Sequence, residues 1–279
     1  MVMSVLRGAL KSFSYLLTAF KKPCDNIVFL MYHRVTGDVN LELDLPFELF
    51  EKQMAVLSEG YEVISFDVAI EHLQARRIPP SSRPRVVITF DDAYEDFYDK
   101  ALPVLEKYSL PAALYVPTSF IDNPGEAPVS VLDESSALLK PMSWDMLREV
   151  QRNHLITLAA HSHGHQEYSS LSPEAIKADV AISAGRIADE LGVSFDHFAY
   201  PRGRWNEVAE ATVRPFYKTI TLVGGAGVSP SDFDPYRIPR VPVIRSDGFF
   251  WFSARIRGRL VYEQKILNLV KGILNASRR

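Results

Sequence analysis

Two short segments gather the residues most able to do chemistry. Thr89-Phe90-Asp91-Asp92 closes the apolar run Arg85-Val86-Val87-Ile88 with adjacent carboxylates. Two carboxylates at the end of a buried strand are costly unless something compensates them. In parallel α/β folds the carboxyl ends of strands are also where active sites form. A helix cap before Tyr94–Asp96 would account for one aspartate but not for the pair. The second segment, Ala160-His161-Ser162-His163-Gly164-His165, follows the apolar run Leu155–Ala160 and places three histidines within five residues. Two imidazoles and one carboxylate oxygen form a three-ligand set with an open position, the arrangement of a catalytic divalent site. A cation held in that way polarises a carbonyl and brings the pKa of bound water toward neutrality. The single cysteine, Cys24, can form neither an internal disulfide nor a thiolate cluster, so any metal must sit on His, Asp or Glu.

The elements that must position these groups are legible as an alternation. Strand-like runs lie at Ile27–Tyr32, Val86–Phe90, Ala112–Val116, Leu155–Ala160, Phe198–Tyr200 and Thr219–Val223. Helical patterns lie between them near Phe47–Ser58, Phe97–Tyr108, Trp144–Arg152, Pro173–Leu191 and Glu207–Phe216, with a weaker strand–helix pair at Glu62–Leu73. Six or seven such units predict a parallel sheet closed into a barrel rather than left open. Pro79-Pro80-Ser81-Ser82 and Asp122–Pro128 read as surface loops. The 279 residues, 47% hydrophobic and 23% charged, fit one large α/β domain and exclude wholesale disorder, collagen and coiled coil. A net charge of −3 argues against a protein whose main work is gripping nucleic acid.

The two ends differ from the body. In residues 1–22, Val2, Val5, Leu6, Leu10, Phe13, Leu17 and Phe20 recur at helical spacing, with Arg7 and Lys11 elsewhere on the wheel. The run is too interrupted to span a bilayer, and no small-x-small cleavage site follows it. It reads either as a helix packed on the body or as one lying in a membrane interface. Residues 248–279 open on Gly248-Phe249-Phe250-Trp251-Phe252, followed by Arg255, Arg257 and Arg259 and a second apolar stripe, Ile266 to Leu274. Core packing and a membrane or partner contact explain that tail equally well.

Together the two chemical segments resemble the first two motifs of the polysaccharide deacetylases, the NodB-homology or carbohydrate esterase 4 family. Phe198-Ala199-Tyr200-Pro201-Arg202-Gly203 is similar to the family's third motif, which lines the substrate groove. The resemblance covers about residues 25 to 245. It implies a distorted (β/α)7-type barrel, residues 23–247, flanked by the amphipathic end segments. It further implies Asp91 as general base, Asp92, His161 and His165 as ligands of one divalent metal, and Tyr200, Pro201, Arg202 and Gly203 as groove residues. His163, in the variable middle of its motif, is expected to point away.

Three positions depart from the family pattern. Ala93 stands where glycine is usual, and Ala199 where an arginine orients the base; Arg202 or Arg240 is the candidate replacement. The family's late catalytic-acid histidine has no counterpart, because no histidine follows His197. Phe29-Leu30-Met31-Tyr32-His33 is instead a strand ending in histidine, and it resembles the circularly permuted branch, in which the first strand supplies the acid. Barrel closure sets first and last strands side by side, so permutation can preserve the site. His72, His154, His197 and Cys24 receive no role.

The expectation is therefore a metal-dependent hydrolase removing acetyl groups from an N-acetylated saccharide, such as an intermediate of surface glycan or lipopolysaccharide biosynthesis. Zinc is the first choice of metal, with cobalt, nickel or manganese fitting the same ligands. The alternatives are an O-acetyl esterase or small-amide hydrolase on the same site, or a catalytically silent glycan-binding protein. With no leader recognised, the expected location is the cytoplasm, peripheral to the inner face of the membrane.

Overall fold

The computed structural model describes residues 2–18, 26–125, 127–128, 139–225 and 227–260. Seven parallel strands close into a barrel: β1 (Ile27–Tyr32), β3 (Arg85–Phe90), β4 (Ala112–Val116), β5 (Ile156–Ala160), β6 (His197–Ala199), β7 (Thr219–Val223) and β8 (Ile238–Pro242). The short β2 (Glu62–Val63) adds to β3 from outside the ring. β1 closes the barrel by pairing on both sides, with Phe29 opposite Val87 of β3 and opposite Arg240 of β8.

The period of two along each strand sorts the apolar residues into two cores. Leu30, Ile88, Leu114, Ala160 and Phe198 face outward and meet α2 (Phe47–Gly60), α4 (Leu102–Lys107), α6 (Trp144–Gln151), α7 (Pro173–Leu191) and α8 (Glu207–Val213). Phe29, Val87, Tyr115, Ala159 and Ala199 face inward, and α3 (Phe66–Gln74) adds Phe66, Ile70 and Leu73 to that inner cluster. Ala113, Ala159 and Ala199 are small, so the interior has room for the long side chain of Arg240, which is fully buried over the ring of Tyr115 at 4.6 Å. α5 (Thr118–Asp122) follows β4, and α1 (Val2–Thr18) and α9 (Gly248–Ile256) lie outside the alternating body.

All six expected strands are present, and the weak pair at 62–73 forms β2 and α3. β8 was not foreseen: Ile-Pro-Arg-Val-Pro contains two prolines and a charge, and proline ordinarily marks an edge or a non-strand. Closure tolerates it because its neighbours donate instead, as when Gly224 N–H bonds the Arg240 carbonyl at 2.8 Å. The expected helix at 97–108 opens with a π-helical turn, Phe97–Ala101, before α4. Asp122 ends α5 rather than opening a loop. Cys24 and the stripe at 266–274 lie outside the described residues.

Third-motif residues 201–203 make a single 3₁₀ turn after β6, and Gly203 is held at φ +62°. A Cβ there would come within 2.6 Å of Val223 on β7. The position thus demands glycine both for its left-handed backbone and for the close strand approach. Gly203→Ala should cost about 2–4 kcal/mol, from αL strain plus overpacking. Thermal denaturation should show a drop of several degrees, and an unchanged midpoint would contradict the packing described.

Candidate active site

The chemical residues meet at one end of the barrel, where β1, β3 and β5 end in His33, Asp91-Asp92 and His161. Asp91 sits at the mouth with its N–H donating to the Tyr32 carbonyl at 3.0 Å, which fixes the β3 end against β1. Arg240 grips Asp91 with two parallel bonds, Nη1 to Oδ1 at 2.5 Å and Nη2 to Oδ2 at 2.7 Å. The same Nη1 donates to Thr89 Oγ1 at 3.1 Å, and the Thr89 hydroxyl donates to the Leu30 carbonyl at 2.8 Å. Burial would raise the Asp91 carboxyl, but the Arg240 guanidinium, with His161 and His33, holds it below the usual carboxylate range. Of the two candidates for an arginine beside Asp91, geometry selects Arg240. Arg202 is exposed and reaches only toward the Pro128 carbonyl at 3.4 Å.

Asp92 turns the other way. It adopts φ +73° and Ala93 φ +48°, so the chain makes its left-handed turn with alanine where the family usually places glycine. Asp92 Oδ1 lies 3.4 Å from His161 Nε2 and 3.2 Å from His165 Nε2, yet accepts no well-aligned hydrogen bond although fully buried. The ligand atoms of Asp92, His161 and His165 all lie within 4.8 Å of one another. The two short separations are those of neighbouring ligands around a cation with bonds of about 2.0–2.2 Å. A buried oxygen left without a donor, facing two imidazole nitrogens, fits a divalent metal well. Burial opposes the charge of Asp92, but His165 and His161 outweigh it and pull the carboxyl well below its ordinary range.

The histidine loop is built to present nitrogens. His161 Nδ1 is 2.8 Å from the Ala199 carbonyl, which can only accept, so Nδ1 carries the proton and Nε2 is left free toward Asp92. Ala199, lacking the arginine of the third motif, thus contributes its backbone instead. Ser162 at φ +70° and His165 at φ +49° wrap the loop, and His165 N–H bonds Ser162 Oγ at 3.0 Å. Asp179 of α7 pins the loop from beneath, accepting from the N–H groups of His163 at 2.9 Å and Gly164 at 2.7 Å. His163 is turned away, with Nδ1 at 2.9 Å from Thr118 Oγ1.

His33 stands half-buried at the end of β1, with Nδ1 buried and unpartnered. Burial lowers its pKa, while Asp92 and Asp91 pull it partly back. Its loop is tied to the aspartate loop by Asp96, whose Oδ2 accepts from Val35 N–H at 2.6 Å. Of the expected groove residues, Tyr200 and Pro201 are buried and Gly203 is spent on backbone geometry. Tyr200 stacks on Trp205 at 6.3 Å, so only Arg202 extends an exposed side chain. Tyr94, Asp96 and Asp179 escaped the sequence reading. Tyr94 packs its buried, unpartnered hydroxyl near Asp92, and burial together with that charge raises its pKa. Only the fold brings these three to the site, although Tyr94 follows the aspartates by two positions. His197 is a structural group, at 2.8 Å from Thr219 Oγ1 and 3.0 Å from Asp67 Oδ1.

Comparison with known proteins sharpens this picture. A model of the polysaccharide deacetylase family matches residues 79–216. Over that stretch the chain carries the polysaccharide deacetylase pattern. The poly-beta-1,6-N-acetyl-D-glucosamine N-deacetylase of Escherichia coli K12 is 28% identical over 266 residues, covering 84% of this chain. The chain spans only 39% of that relative's length. In fold it is similar to the Streptococcus pyogenes deacetylase PplD (TM-score 0.69, 22% identity, 84% of this chain and 99% of that one). It is equally similar to IcaB from Ammonifex degensii (TM-score 0.69, 21% identity, 84% and 98%). The family match contains Asp91, Asp92, His161 and His165 but excludes His33 and Arg240, which β1 and β8 bring in from either side. The polysaccharide deacetylase barrel is therefore completed at its seam by residues from outside the matched stretch.

Two outcomes are expected. Protein prepared without chelator should carry close to one divalent ion per chain by elemental analysis. His165→Ala should lose it and His163→Ala retain it; equal loss in both would mean the ligands are misassigned. The second concerns Asp96, whose carboxyl burial pushes up to about 6 against Arg34 and the Val35 N–H. A carboxyl with a higher pKa in the folded state binds its proton more tightly there. Its contribution is therefore greatest below pH 4 and is lost as pH rises toward 6. Asp96→Asn should remove that penalty, gaining about 3 kcal/mol relative to the parent between those pH values. Denaturant titrations at pH 4 and pH 7 that give the same difference would exclude it.

Proposed function

We propose that the protein is a metal-dependent deacetylase that hydrolyses N-acetyl groups of a saccharide, in the assembly of a surface glycan or lipopolysaccharide. The observation that carries this reading is the pairing of one carboxylate clamped by Arg240 with a second, adjacent carboxylate facing two imidazoles. Neighbouring aspartates are thereby given separate tasks. Asp92, His161 and His165 would hold the cation, with zinc our choice for a two-nitrogen, one-oxygen donor set. Such an ion supplies Lewis acidity toward the acetyl carbonyl and a readily ionised water.

The chain's own residues do the rest. Asp91 takes the proton of the attacking water. Arg240 occupies both carboxylate oxygens, so it fixes the base's orientation, and the Thr89–Leu30 link ties that orientation to the barrel wall. His33, across the seam on β1, gives a proton to the departing nitrogen, without which an amine is a prohibitive leaving group near neutral pH. The left-handed turn at Asp92-Ala93 is what lets two consecutive side chains address base and ligand positions at once.

Asp91→Asn should keep its metal and lose roughly two to four orders of magnitude in rate, the usual range for a general base. If the variant no longer takes up metal, the division of labour between the aspartates is wrong. His33→Ala should keep fold and metal and lose most activity on N-acetylhexosamine oligomers, while an activated acetyl ester, with its better leaving group, suffers less. Acetate release is the assay for both. Release from O-acetyl esters alone would move the assignment to an esterase.

A further inference from the structure

Over residues 10–18, α1 is a helix folded inside out. Lys11, Ser14 and Thr18, spaced along one face, are buried, whereas Phe13 is 51%, Leu16 69% and Leu17 52% exposed. The polar face is turned inward because it has polar partners there. Lys11 Nζ lies 2.6 Å from Asp247, which also pairs with Arg255 of α9. Ser14 Oγ and Thr18 Oγ1 donate to the Arg259 carbonyl at 3.1 and 2.8 Å. The position of α1 is therefore fixed by specific bonds, and its apolar face is left outward. α9 extends that face: Phe250, 59% exposed, packs against Tyr15 at 5.8 Å and against Trp251 at 4.9 Å. Five of the eleven exposed large hydrophobic residues among those described belong to these two helices, while the others are scattered. A contiguous exposed apolar surface of this kind marks an interaction site.

Charge identifies the occupant. Residues 1–22 contain four basic and no acidic side chains, and residues 248–279 seven basic and one acidic. The whole chain has 31 basic and 34 acidic residues, so the catalytic body keeps 20 basic against 33 acidic. A net positive balance is thus confined to the two segments that carry the apolar face, and it survives the pairing of Lys11 and Arg255 with Asp247, the composition of an element that lies in an anionic lipid surface. The acidic body beyond it favours keeping the barrel off that surface. A second copy of the chain would set two cationic faces against each other, which charge disfavours. None of the described helices is long and apolar enough to cross a bilayer, so insertion would be interfacial.

We propose that α1 and α9 form one membrane-docking face, in which Phe13, Leu16, Leu17 and Phe250 enter the acyl boundary of an anionic leaflet while the flanking arginines and lysines meet its headgroups. The test is flotation of the full chain with phosphatidylcholine vesicles, alone and mixed with phosphatidylglycerol. Flotation with the anionic vesicles, weakened by high salt, is expected. Leu16→Glu/Leu17→Glu should lower partitioning at least about tenfold with thermal midpoint and hydrolysis of a soluble substrate unchanged. Phe250→Ser and Arg257→Glu, on the other helix, should weaken it separately. Failure of the parent chain to float, or flotation indifferent to all three variants, overturns the proposal. So does a lipid-free dimer, measured by light scattering, that Leu16→Glu/Leu17→Glu dissolves, because the face would then join two copies.

Discussion

The buried pair between Arg240 and Asp91 is the interaction on which the rest of this structure turns. It crosses the seam where the barrel closes. Arg240 belongs to β8, Thr89 to β3 with Asp91 directly after it, and the Leu30 carbonyl at the end of the chain of bonds to β1 between them. Three strands remote in sequence are thereby locked in one register, and the same bonds orient a carboxylate at the mouth. A buried ion pair is weak evidence for stability in itself, since desolvation offsets much of the attraction. Its value here is geometric: two parallel bonds and a fully buried guanidinium leave the carboxylate one orientation. Removing the arginine would leave Asp91 buried and uncompensated, so the seam tolerates neither partner alone.

Around that pair the loops store strain. Asp92, Ala93, Ser162 and His165 all adopt left-handed backbone without being glycine. Each such residue costs on the order of 1–2 kcal/mol, so the four together rival the net stability of an ordinary domain. Such strain persists only where the surroundings over-determine it. Asp179 supplies part of that constraint beneath the histidine loop, through two backbone N–H groups. Asp91 N–H on the Tyr32 carbonyl and Met142 N–H on the Ala93 carbonyl at 2.9 Å supply it around the aspartates. Strain at these positions is what aims Asp92, His161 and His165 at a common point.

How much of this was legible in the sequence follows from where the information lies. Asp91, Asp92, His161 and His165 announce themselves because their chemistry is concentrated in two strand ends, and the barrel follows from apolar runs that repeat with helices between. His33 was legible only through what the rest lacked. β8 was invisible, because Pro239 and Pro242 mask a strand whose pairing is decided by closure rather than by its own propensity. Its Arg240 could be offered only as one of two arginines; register against Phe29 and Val223 is what selects it. Tyr200 shows how packing adds what a motif leaves out. The motif resemblance implies a groove residue, and the fold packs its ring against Phe198, Tyr168 and Trp205.

The amphipathic pattern of α1 carries a more general lesson about direction. Periodicity reports that a helix has two faces, and it cannot say which one the protein keeps. In water the default is to bury the apolar face, because each large side chain so buried contributes about 1.5–3 kcal/mol. α1 does the reverse, and the reason is local: Asp247 is buried beside Arg255, and Lys11 completes its charge compensation, while the Arg259 carbonyl takes both hydroxyls of the same face. Turning α1 over would bury Phe13, Leu16 and Leu17 but strand those partners in the interior, at a cost of similar size for each unsatisfied or unpaired group. The two orientations are thus close in water, so the docking proposed above would need only a modest gain from an apolar surface outside the protein to favour the observed one. On that proposal, polar groups inside and hydrocarbon outside is the balance of a helix whose solvent on one side is not water.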